Sequence, residues 1–73
     1  MNDGVDILDV VALTEDLPER GLHRGQVGTV VENLGFGVFE VEFSDDEGRA
    51  YASVALKADQ LLVLHYEPVE TGS

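Results

Sequence analysis

Only a few residues of this 73-residue chain are of types that could do chemistry. His23 and His65 are its two imidazoles, and they stand far apart without a cysteine between them. A metal site or an acid–base pair needs such groups in clusters, so no catalytic or ligand role is expected for either: His23 is exposed in the long loop and His65 ends the last strand. Asp45-Asp46-Glu47 offers hard oxygen ligands for a divalent cation. It lacks the spaced carboxylates of a calcium loop and reads as a solvated hairpin. Ser44 and Ser53 are nucleophiles by type alone, since neither sits in a G-x-S-x-G elbow. Gly25-x-x-Gly28 has the look of a phosphate cradle, but the lysine is missing and a β-branched run follows instead of a helix. No cofactor, no metal and no catalytic residue is therefore expected, and an enzyme is the least favoured class.

Charge says more about partners. Fifteen acidic residues face four basic ones, a formal net charge of −11. Nucleic-acid backbones are disfavoured as ligands, because they are held by Lys and Arg. Anionic membranes are disfavoured for the same reason. A more basic protein would be drawn in by the same field, although the charge also serves solubility. No apolar run approaches a membrane span, and Met1-Asn2-Asp3-Gly4 is acidic where a leader peptide is basic, so a cytoplasmic location is expected. Homo-oligomerisation through a strand edge is possible in principle but is not predicted, given the charge.

Whatever these residues do, short strands must position them. With no cysteine to staple it, the single small domain depends on an aliphatic core and three Phe. Residues 1–6 read as a flexible N-terminus. Leu8–Leu13 is a short apolar run of strand type, with a helical period as the competing reading. Thr14–Gly25 is a long loop containing Pro18 and Gly21. Gln26–Glu32 is the second strand. Its inward set is left open between Val27 with Val31 and Val30, and a bulge or strong bend is expected near Gly28. Asn33-Leu34-Gly35 reads as the next turn. Phe36–Phe43 then alternates, with Phe39, Val41 and Phe43 on one face and Glu40 and Glu42 on the other. Ser44–Gly48 is a hairpin connection. Arg49–Leu56 is a fourth strand with Val54 and Leu56 as core residues. Lys57–Gln60 fits one turn of 3-10 helix, and Leu61–His65 a fifth strand. The fold class expected is all-β, a small five-stranded SH3-like barrel over residues 7–66 with a 3-10 turn before the last strand. Residues 67–73 read as a flexible tail.

Two surfaces are candidates for partner contact. Arg20, Leu22 and Arg24 lie in the long loop, where the arginines serve either as anchors or as internal partners of Glu19, Glu40 or Glu42. Phe36 and Tyr51 are expected on the outer face, rimmed by Glu40 and Glu42. Proline-peptide recognition would need more aromatics than this chain has.

The chain resembles a family of small bacterial proteins, domain of unknown function 4926. The likeness runs from about Ile7 to Leu64. It is carried by Asp9-Val10-Val11-Ala12-Leu13, by Leu17-Pro18-Glu19-Arg20-Gly21-Leu22 and by Arg24-Gly25-Gln26-Val27-Gly28-Thr29-Val30-Val31-Glu32. Val41-Glu42-Phe43, Gly48-Arg49 and Leu56-Lys57-Ala58-Asp59-Gln60-Leu61 continue it. The resemblance implies an SH3-like fold and a compact accessory protein, with no catalytic residues to transfer. By analogy, such a protein pairs with a neighbouring effector. The function expected is a non-enzymatic acidic interaction module, of the antitoxin or immunity type, that neutralises a basic effector. The alternative is a structural accessory subunit of a larger redox or hydratase-type complex.

Overall fold

A computed structural model describes residues 4–45 and 47–64. Strands β1 (Val10–Leu13), β2 (Val27–Gly35), β3 (Val38–Ser44), β4 (Ala50–Lys57) and β5 (Leu61–Leu64) form one antiparallel sheet in the order β4-β3-β2-β1-β5. Short 3-10 turns lie at Pro18–Arg20 and, as expected, at Ala58–Gln60 before β5. Among the described residues no pairing joins β4 to β5, so the sheet is open at those edges. His65, Asp46 and the tail expected over 67–73 lie outside the described residues.

The core follows the period of the strands. Phe39, Val41 and Phe43 of β3 are buried, and so are Val54 and Leu56 of β4, as their alternation requires. Val11 and Leu13 of β1 and Leu61 of β5 complete the same face. In β2 the inward residues are Gly28 and Val30, while Val27 and Val31 face solvent. A Cβ on Gly28 would stand 2.8 Å from the Glu42 carbonyl oxygen and 2.9 Å from Phe43 Cδ1. Glycine is therefore set by the close passage of β3 and the Phe43 ring.

Three expectations need correction. The register irregularities of β2 fall between Val30 and Glu32 and between Asn33 and Gly35, not at Gly28. The turn after β2 is Phe36-Gly37, and Asn33-Leu34-Gly35 belongs to the strand. Asn33 does not turn the chain; its Oδ1 accepts the Gly35 N–H at 2.8 Å. At the N-terminus, Val5 is a core residue at 6% exposure, held by an Asp6–Asp9 turn in which Asp9 Oδ2 accepts the Asp6 N–H.

The long loop is a plug. Leu17 and Leu22 exchange backbone hydrogen bonds of 2.9 and 3.1 Å around the Pro18–Arg20 turn, and Gly21 supplies the left-handed corner with φ 70°. Both leucines enter the core. The far end is tied to β1 by Gly25 N–H to Leu13 O and Leu13 N–H to Gln26 O.

Candidate functional site

The residues singled out in the sequence separate into three places. Leu22 is at 0% exposure, so it cannot contact a partner; it is a core plug, and the expected contact surface loses it. Arg20 and Arg24 remain exposed beside it. Among the described residues neither forms an ion pair, so they do not neutralise Glu19, Glu40 or Glu42. Arg24 is fixed only through its backbone N–H, which donates to Asp16 Oδ1 at 2.8 Å.

Phe36 and Tyr51 do not share a patch. Phe36 sits beyond Val38, which pairs with Lys57, and Tyr51 lies six residues back along β4 from Lys57. At about 3.3 Å per residue, that places them ~20 Å apart on opposite ends of the sheet. Tyr51 accepts a hydrogen bond from Gln26 Nε2, and Gln26 Oε1 accepts the His23 N–H, so this end of the sheet is polar and internally bonded. His23 is exposed in the loop. Among the described residues no group of three or more His, Cys, Asp or Glu could hold a metal ion.

What the sheet does bring together is acid. Glu42 pairs with Thr29 and Ser53, and Glu40 pairs with Glu32 and Ala55, all on the face opposite the core. Glu32 therefore stands directly across from Glu40, and the Ser53 hydroxyl donates to Glu40. Like charges facing each other across two strands are destabilising. Among the described residues no cation is paired with this group, and the ion pairs belong to Arg49 with Asp45 and Glu47. Glu32 escaped the sequence reading because the irregularity at Val31 sets it in phase with Glu40, and nothing local signals that shift.

The second feature is the β2–β3 tip. Phe36 and Gly37 have φ of 57° and 75°, the positive pair that a two-residue type I′ hairpin requires. The Phe36 side chain stands free in solvent, at 106% relative exposure. Gly37 O accepts the Ala58 N–H at 2.9 Å, which pins the tip to the turn after β4.

A five-stranded antiparallel domain with an acidic outer face and a bare aromatic tip belongs to the small all-β domains. The model of the family described as domain of unknown function (DUF4926) matches residues 7–63, and the chain belongs to that family. No curated protein and no solved structure matches the chain.

Proposed function

We propose that this protein is a non-enzymatic interaction module built as an SH3-like barrel, and that it binds a more basic protein, as an antitoxin or immunity partner binds its effector. The observation that carries the reading is the Glu32–Glu40 pair with Glu42 beside it, acidic side chains opposed across the sheet and, among the described residues, in no ion pair. A cationic partner relieves that repulsion on docking and is steered by the overall charge of −11. The strand order and the 3-10 turn before β5 support the barrel reading.

The test is a tagged pull-down from the native host, followed by association kinetics with the purified captured protein. A basic partner is expected, with an on-rate that falls steeply with salt and drops again in Glu40→Gln/Glu42→Gln. Association indifferent to salt would refute steering. A large enzyme complex held equally well at high salt would favour the accessory-subunit alternative.

A further inference from the structure

Among the described residues, two non-glycine residues have positive φ, Leu8 at 76° and Phe36 at 57°. They are also the two most exposed large apolar side chains among the described residues, at 75% and 106%. An L-residue in the left-handed region is strained, and strain that the fold does not use tends to gather at binding sites. Asn or Gly would relieve it at a I′ position, yet a phenylalanine stands there without burying its ring.

The two positions lie along one line. The Leu8 N–H donates to Val30 O at 2.7 Å, which sets Leu8 beside Val31 where β2 runs on past β1. Val31 and Leu34, at the two irregularities of β2, are exposed as well, and Phe36 follows at the turn after the strand. This makes an apolar ridge of Leu8, Val31, Leu34 and Phe36, with the Glu32–Glu40 pair beside it. The Ala58–Gly37 bond holds its tip in place, so binding has little order left to impose.

We infer that this ridge is the apolar half of a docking surface for a basic amphipathic segment of a protein partner, whose Lys and Arg reach Glu32 and Glu40. The inference rests on the interaction reading above and names the chemistry of the partner segment. Charge complementarity selects this occupant over a second copy, which would bring its own Glu32 and Glu40 against the same charges.

The probe is a synthetic helical peptide with Leu at i, i+3, i+4 and i+7 and Lys between, measured by fluorescence anisotropy beside a peptide of the same composition with scrambled order. The native protein is expected to prefer the patterned peptide by about tenfold. Phe36→Asn should abolish that preference while melting no lower than native, because Asn accepts the left-handed backbone. Leu8→Asn repeats the test at the other end of the ridge. Glu32→Gln/Glu40→Gln should weaken both peptides alike. Equal binding of the two peptides, or a preference that survives Phe36→Asn, would overturn the ridge and leave the interaction reading standing. Failure of both peptides to bind at low salt would overturn both. A native dimer in sedimentation that Phe36→Asn dissolves would assign the ridge to a second copy and overturn the inference.

Discussion

The two tips of β3 are built by opposite rules. At the β3–β4 end, Asp45 Oδ1 accepts the N–H groups of Glu47 and Arg49 at 2.9 and 3.0 Å, and Gly48 takes the positive φ. Arg49 then bridges Asp45 and Glu47 at 3.3 and 3.0 Å. Asp45 and Gly48 are the types their local conformations ask for. At the β2–β3 end, the positive φ falls on Phe36, a bulky side chain ill suited to it, and its ring is fully exposed. One tip resolves its local chemistry and the other leaves it open. A sequence that follows the rules at one turn and breaks them at the next is what the docking proposal for the Phe36 tip requires.

The largest perturbation should ignore the difference between the tips. Leu22→Ala removes a fully buried side chain from the core under both. A loss of about 2–5 kcal/mol is expected, enough to unfold a domain this small. Urea melts followed by far-UV circular dichroism check it. If Leu22→Ala left the midpoint unchanged, the long loop would not be the plug described. Asp45→Ala is the next in size and strikes one tip only. Two backbone N–H groups lose their acceptor and Arg49 loses a partner. The exposed turn lets water replace part of this, so about 1–2 kcal/mol is expected. Amide exchange should accelerate at Glu47 and Arg49 and stay unchanged at Ala58, whose N–H donates to Gly37 O; acceleration at both tips would mean that they are not independent.

How much of this could be read from the sequence depended on whether the governing contact was local. Phe39, Val41 and Phe43 were legible against Glu40 and Glu42 because a strand alternates strictly. The turn at Ala58–Gln60 was legible because it is too short for anything else. β2 was not, since two extra residues shift its alternation and carry Asn33-Leu34-Gly35 into the strand, which moves the turn to Phe36-Gly37. The burial of Leu22 depends on a bridge to Leu17 across a loop, and its neighbours Gly21, His23 and Arg24 are all polar or small. Of the candidate surface, Glu40 and Glu42 were read correctly as facing outward. Their partner Glu32 and the Leu8–Phe36 ridge follow only from register, which no local pattern encodes.

Phe36→Asn tests the comparison in the other direction, by making the second tip obey the rule. Asn adopts the left-handed region with little strain, and no buried ring is lost. Roughly half of the ~1–2 kcal/mol that this backbone costs an L-residue should return as stability. For a domain of this size that is a rise of about 4 °C in Tm by scanning calorimetry. A lower Tm would mean that the ring supports the fold and that the tip is not built for a partner.

The smallest effect belongs to Arg49→Gln, and it settles which part of the rule-following tip matters. Its side chain is 75% exposed, so both ion pairs lie in water. Exposed pairs contribute about 0–1 kcal/mol and weaken with salt. The backbone N–H of residue 49 still reaches Asp45 Oδ1 in the variant, so the turn keeps the hydrogen bonds that define it. Melts of native and variant should differ slightly at low salt and converge at high salt. If a difference larger than that of Asp45→Ala persisted in salt, the tip would be held by its ion pairs and not by the carboxylate on the backbone. The contrast with Phe36 would then be one of charge, not of backbone conformation.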